Sequence, residues 1–548
     1  APGQTIVKEL DPIPLWVSIL PPLLAILMAL ITKEVFSSLF IGLLLGTTVI
    51  FRYAGFNWFI AFFKGTFAIA DTYVIEALMS TEHLSIIVFS MMIGGMVVLI
   101  TLNGGMKGIV NTLSRYATTR RSGQMITWLM GILIFFDDYA NTLVVGNTMR
   151  PITDRLKISR EKLAYIVDST TAPVAAIAFI TTWIGAELSY IQEGLVHTQI
   201  DESPYIVFLS SLKYSFYPIL TLVFMLMLIL MQRDFGLMWK KEKEAITADN
   251  ITEEKSTKRP PQVVKEFEVP EHIKGRWYNA AIPVGIVIFG TLAGLVYTGW
   301  DTAVWTDGSL TTVGKLSATI GAADTFKALI WSSLTAMMVA MLLSLSQKIL
   351  NIQESMEGIL NGFKTMFNAI IILILAWAMA TITKELHTAD FITGSLSHMQ
   401  VSPYVLPFIT FIFSAMIAFS TGSSWGTMAI IYPLILPAAW KIGLDNGLAH
   451  DELVMVFHNV VASVLAGAVW GDHCSPISDT TILSSLSCSC NHINHVQTQM
   501  PYAITVGGTA LVAGVLPAGF GWPVWISYLA SIAILFLIIR YFGKKNTD

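Results

Sequence analysis

Apolar residues run along this chain in blocks long enough to cross a bilayer core of roughly 30 Å. Uninterrupted runs fall at 12–31, 34–51, 84–102, 206–232, 277–299, 325–346, 366–383, 502–520 and 522–541. Two further runs, 163–188 and 453–487, carry Asp and Pro at their middles, and two segments, 124–149 and 404–440, are apolar at both ends and polar at the centre. The pattern predicts an all-α integral membrane protein of about eleven transmembrane helices, the interrupted runs among them as broken helices. The segments 124–149 and 404–440 are too long for one helix and read as re-entrant hairpins.

The polar interruptions occur in the same order in each half. Phe135-Phe136-Asp137-Asp138-Tyr139-Ala140-Asn141 is followed by Asp168-Ser169-Thr170-Thr171-Ala172-Pro173. Ser420-Thr421-Gly422-Ser423-Ser424-Trp425-Gly426 is followed by Asp472-His473-Cys474-Ser475-Pro476-Ile477-Ser478-Asp479-Thr480-Thr481. Carboxylates and hydroxyls at membrane depth are expensive and mark ion or substrate paths, and helix breaks repeated in both halves are the signature of a secondary transporter. Residues 1–232 form the first repeat, with hairpin 124–149 and broken helix 163–188; 233–276 is a linker rich in Lys and Glu; 277–548 form the second repeat, with hairpin 404–440 and broken helix 453–487.

Composition agrees with a lipid environment: 54% of residues are hydrophobic, 13% are charged, and the mean hydropathy is +0.65. The net charge of -4 and the lack of a basic motif give no footing to a nucleic-acid partner. The cysteines Cys474, Cys488 and Cys490 make no disulfide framework. The polar start at Ala1 reads as a trimmed terminus without a charged signal segment. Lys and Arg gather at 107–121, 150–162, 233–276 and 544–545, whereas 71–83, 189–205 and 300–324 are mainly acidic loops. The positive-inside rule makes the basic loops cytoplasmic. The first hairpin then enters from the cytoplasm and the second from outside, so the two repeats have inverted topology. On this count the N-terminus is external, the C-terminus is cytoplasmic, and 233–276 is a solvated cytoplasmic loop.

Breaking a helix in lipid frees backbone groups that must find partners, and transporters use such groups to hold Na⁺ or anionic groups. The side chains at the breaks are Asp137, Asp138, Asn141, Asp168, Ser169, Thr170, Thr171, Thr421, Ser423, Ser424, Asp472, Ser475, Ser478, Asp479, Thr480 and Thr481. This hard oxygen set suits a small cation, with Na⁺ placed at Asp137, Asp168, Asp472 and Asp479. Carboxylates crowded together repel one another, and a group that holds either H⁺ or Na⁺ is the minimal basis for exchange. Asp137 and Asp138 cannot point the same way on a helix, so one of them caps the hairpin's second arm. No Lys or Arg lies within the four motifs; Arg150 is the nearest.

Other polar residues read more plainly. Glu187 sits at the external end of its span as an interfacial group. Trp58, Trp183, Trp300, Trp305 and Trp440 fit an interfacial belt. Cys488-Ser489-Cys490-Asn491-His492-Ile493-Asn494-His495 lacks the pairings of a zinc module and reads as a polar cytoplasmic turn. His458 and Asn459 are candidates for lining the path.

On 135–142, 168–173, 422–427 and especially Gly471-Asp472-His473-Cys474-Ser475-Pro476-Ile477-Ser478-Asp479-Thr480-Thr481, the chain resembles the NhaC-type sodium/proton antiporter family. The resemblance covers roughly 80–540 and extends to the Cys-x-Cys-Asn-His tract. It implies kinship with the wider ion-transporter superfamily: inverted repeats, a scaffold that forms a homodimer, and elevator-like movement of a transport domain. Relatives that exchange malate and lactate, or carry amino acids, leave the cargo open. The reading is a multi-pass transporter of the bacterial inner membrane, not an enzyme, that exchanges Na⁺ for H⁺ without a cofactor. The alternative is Na⁺-coupled carriage of an amino acid or small organic acid.

Overall fold

The computed structural model describes residues 13–32, 34–196, 198, 200, 202–247, 273–306, 311–388, 390–391 and 402–546. The first twelve residues and 248–272 of the linker lie outside this set. Among the described residues, 11 helices are long and apolar enough to cross a membrane, or 12 if the bent pair Pro204–Tyr214 and Phe216–Met231 is one span. The one described sheet is a two-residue antiparallel ladder, Arg233–Asp234 against Lys544–Lys545.

Several helices start where a polar side chain takes up a free backbone N–H. Asn57 accepts from Ile60 N at 2.9 Å to open Trp58–Ala68, and Ser80 accepts from His83 N at 3.3 Å to open Thr81–Leu102. Thr119 and Ser122 form a reciprocal box at the head of Arg120–Leu133. The same chemistry sets both hairpins. Arg120–Leu133 and Asp138–Arg155 are the arms of the first, broken at 134–137; Leu406–Thr421 and Ser424–Asp445 are the arms of the second, broken at 422–423.

Both interrupted runs are broken where the sequence places the break. The first is helical over Arg160–Ser169 and Ala172–Ala175, leaves the helix, and resumes as Ile184–Leu195. The second is His450–Cys474 followed by Asp479–Ser487. Around this interior stand Thr81–Leu102, the 34-residue Ile352–Glu385, and the pair Tyr278–Thr298 and Thr325–Ser346, joined by Thr291 and Ser332 hydroxyls 2.7 Å apart. Phe289, Tyr297, Met338 and Leu342 on that pair are exposed, an apolar surface suited to lipid.

Two expectations about the spans are corrected. The stretch 71–83 is not an acidic loop: Trp58–Met79 is a helix with a π-turn over Ile69–Val74, and Thr81–Leu102 begins one residue later. Asp71 and Glu76 interrupt its apolar run and hid it from a hydropathy reading. The external N-terminus rested on a count that lacks this helix. The Trp belt also dissolves in part, because Trp183 and Trp440 are buried.

The described part of the linker is folded, not solvated. Gly236–Thr247 buries Met238, Glu242 and Ala245. Glu242, fully buried, accepts from Arg120 Nη2 at 2.5 Å and Ser159 N at 2.7 Å. Asp234 accepts from Lys162 Nζ at 2.6 Å, Tyr502 Oη at 2.5 Å and Asn546 Nδ2 at 2.6 Å. The linker and C-terminal end thereby clamp the base of the first hairpin and first broken helix. Removing one member of a buried pair leaves an uncompensated charge and costs about 3–5 kcal/mol. Lys162→Met is expected to lower the thermal unfolding midpoint of the detergent-solubilised protein sharply, and adding Asp234→Leu to recover part of that loss.

Candidate functional site

Hairpin tips and helix breaks meet in pairs. At the first, Asn141 donates through Nδ2 to Gly131 O and Thr170 O, both at 2.8 Å, tying the two hairpin arms to the first break. A Cβ at Gly131 would overlap the Thr170 side chain, so only glycine lets the arm approach this closely. Asp137 is the capping carboxylate, accepting from Ala140 N at 2.7 Å. Asp138 turns instead to the second half of the broken run, where Trp183 Nε1 donates to its Oδ2 at 3.2 Å.

At the second meeting, Gly422 turns the tip with φ +65, and a Cβ there would lie 2.7 Å from the Ile477 carbonyl in the second break. Ser423 caps the outgoing arm through Gly426 N at 3.1 Å. Ser424 reaches across and donates to Asp472 Oδ2 at 2.9 Å. The other Asp472 oxygen is buried with no hydrogen-bond partner. Ser478 and Thr480 hydroxyls lie 3.0 Å apart beside it, while Asp479 at the head of the next helix is exposed. Thr421 bonds back into its own helix at Ile417 O, and Ser475 accepts from Ile477 N to shape the break.

The two meetings are tied together by Asp168. Its Oδ2 accepts from Gln499 Nε2 at 2.7 Å and Thr481 Oγ1 at 3.0 Å, with His495 Nε2 at 3.4 Å and His473 Nε2 at 4.0 Å. His473 in turn meets Ser169 Oγ at 3.1 Å and Tyr217 Oη at 2.6 Å. Trp183 and Trp425 rings make a second tie at 5.8 Å.

Asp137, Asp138, Asp472 and Asp479 all lie within electrostatic reach of Tyr139. Asp168 lies within electrostatic reach of Asp472. Among the described residues, no three His, Cys, Asp or Glu side chains are close enough to grip one metal ion together. A cation here would be held by carboxylate, hydroxyl and freed backbone oxygens in combination, which is the hard-ligand chemistry of a weakly bound, transported ion. Arg150, the nearest base in sequence, bonds instead to Ser489.

Several contributors escaped sequence reasoning. His492 and His495 are not a solvated turn: the tract buries Cys488 and Cys490, His492 Nε2 meets Pro476 O at 2.6 Å, and His495 is fully buried against Asp168. Their spacing with Gln499 on one helical face was the available signal. His458, a candidate for the path, pairs with Glu202 at 3.0 Å. Asn459 is buried with both amide atoms unpartnered. Glu187, expected at an interface, is fully buried.

Helical hairpins seated on broken helices, with carboxylates and hydroxyls where they meet, define a secondary transporter of the membrane. The chain matches the Na⁺/H⁺ antiporter family over residues 174–517, and it belongs to that family. It is 31% identical over 539 residues to an uncharacterized protein of Haemophilus influenzae, covering 96% of this chain and 95% of that one. A shorter match, 26% identity over 149 residues and about a quarter of each chain (27% and 25%), is to the malate-2H⁺/Na⁺-lactate antiporter of Bacillus subtilis. The fold is similar to the YdaH transporter of Alcanivorax borkumensis, with TM-score 0.56, 13% identity, and 84% of this chain and 90% of that one covered.

If Asp168 organises the site, its loss is felt as structure. Asp168→Asn is expected to cost about 1–3 kcal/mol of stability, the price of orphaning buried donors, seen as a lowered unfolding midpoint without Na⁺. An unchanged midpoint with lost Na⁺ affinity would make it a plain ligand.

Proposed function

We propose that this protein exchanges Na⁺ for H⁺ across the bacterial inner membrane by alternating access. The observation that carries the reading is Asp472: buried, one oxygen held by the hairpin-tip Ser424 at 2.9 Å, the other lacking a hydrogen bond of full geometry, with the Ser478 hydroxyl within reach of the carboxylate. Such an oxygen is stable when it carries a proton or faces a cation. Either occupant excludes the other, which is sufficient for obligatory exchange. Asp138 and Asp479 share the charge of the ion, the hydroxyls of Ser424, Ser478 and Thr480 complete its shell, and Asp137 and Asp168 hold the frame.

Access alternates as the hairpins and broken helices move as a body against the scaffold of Thr81–Leu102, Tyr278–Thr298, Thr325–Ser346 and Ile352–Glu385. The recurrence of hairpin and then broken helix in both halves supports two inverted repeats and an elevator-like stroke. The exposed apolar faces of the scaffold supply area for a homodimer contact as well as for lipid. The basic loops at 107–121 and 150–162, with the C-terminal strand clamped beside them, support a cytoplasmic C-terminus.

The relative that exchanges malate and lactate favours one second reading, Na⁺-coupled carriage of a small organic acid or amino acid. The test separates the two. In proteoliposomes without organic solute, a Na⁺ jump is expected to move internal pH, and Asp472→Asn or Asp479→Asn to abolish the response. Vesicles that stay silent until a carboxylic or amino acid is added would replace exchange with organic-solute transport.

A further inference from the structure

Glu187 has no part in the site just described. It lies on Ile184–Leu195, one turn beyond Trp183, and is 0% exposed. Among the described residues it is the carboxylate whose two oxygens are both buried and both without a hydrogen-bond partner. One turn inward is Trp183, bonded to Asp138 and packed on Trp425. One turn outward the Tyr190 ring stacks on Tyr432 at 5.9 Å, and the Tyr190 hydroxyl is likewise unpartnered.

The groups that face Glu187 are few. Tyr432, on the outgoing arm of the second hairpin, lies within its electrostatic reach and donates its own hydroxyl to Val461 O at 2.9 Å. From Thr81–Leu102, Ser90 faces the neighbouring Gly185, and His83 is taken by Glu193 at 3.2 Å. On Pro204–Ser211, Tyr205 is committed to Phe179 O. No described Lys, Arg or His forms an ion pair with Glu187. An isolated carboxylate in such surroundings costs many kcal/mol, and the neutral acid costs far less. Glu187 is therefore held here as the acid, with its proton shut in.

Glu193, two turns along the same helix, lines a cleft of about 560 Å³ shared with Glu76, Lys384, His387 and Asp390. The lid over Glu187 is the helix Ser424–Asp445, whose first residue grips Asp472 and whose Leu436 packs tightly on Gly194. Movement of the Ser424 tip when the ion site fills or empties is passed to Tyr432, two turns along the same helix and ahead of its Pro433 and Pro437.

We infer that Glu187 is a second proton-carrying site, separate from the cation site, that exchanges its proton with water of the Glu193-lined cleft when the helix Ser424–Asp445 shifts. The O–H bond of the acid breaks as the proton passes to water of that cleft, and re-forms with a proton from water on the opposite side of the membrane on the return stroke; nothing is oxidised or reduced. This deepens the exchange reading and rests on it for its transport arm, but not for its spectroscopic arm.

Glu187→Gln is the test, because the amide is nearly isosteric with the acid. Infrared spectra of the purified protein at neutral pH are expected to lose one carboxylic-acid carbonyl band in the variant. In proteoliposomes the variant is expected to keep ²²Na⁺–Na⁺ exchange while moving fewer protons per Na⁺ than wild type. A full set of acid bands, or an unchanged proton-to-Na⁺ ratio, would overturn the assignment. If wild type moves no protons with Na⁺, the exchange reading fails and the infrared band alone decides Glu187. Should the Gln variant not fold, Glu187→Asp supplies the same band as a shift in frequency, and an unshifted spectrum overturns the proposal.

Discussion

A backbone carbonyl or amide freed by unwinding a helix in lipid has no water to turn to, and in this protein freed groups at the breaks are met by a neighbouring broken element. Asn141 gives its amide to the first break and the first hairpin together; the Gly422 tip lies against the Ile477 carbonyl of the second. Neither hairpin nor broken helix is tenable alone. Their mutual satisfaction fixes where the carboxylates stand, and Asp168 with its Gln499, Thr481 and His495 partners locks one meeting to the other.

The site that results is acid-rich and, among the described residues, has no Lys or Arg within it; its two imidazoles, His473 and His495, are taken up with Asp168. Asp137 and Asp168 are spent on caps and on the lock, whereas Asp472 keeps an unpartnered oxygen. Positive charge must then come from what is carried. In the exchange we propose, a proton or a small hard cation meets that need, and the two compete because a single oxygen cannot serve both. Because Ser424 belongs to a hairpin tip and Asp472 to a broken helix, occupancy of the site bears on the contact between these two elements.

Much of this was legible in the chain because lipid makes polarity costly. Asp137-Asp138, Asp168, Gly422-Ser423-Ser424 and the Asp472–Asp479 run stand out from apolar surroundings, and the structure breaks its helices at all four. What was not legible has two causes. Apolar helices that carry scattered charge, such as Trp58–Met79 with Asp71 and Glu76, blur into loops. Side-chain partnerships between distant segments leave no local trace: nothing near Glu187 announces full burial, nothing near Trp183 announces Asp138, and the His495 tract reads as surface until Asp168 is folded onto it.

The central claim, that Na⁺ and H⁺ compete for one enclosed carboxylate site, is tested most directly by adding Na⁺ to the purified protein in weakly buffered solution and recording pH. Release of protons on Na⁺ binding, absent in Asp472→Asn, is the predicted result. Na⁺ binding with no proton release in the wild type would contradict the account.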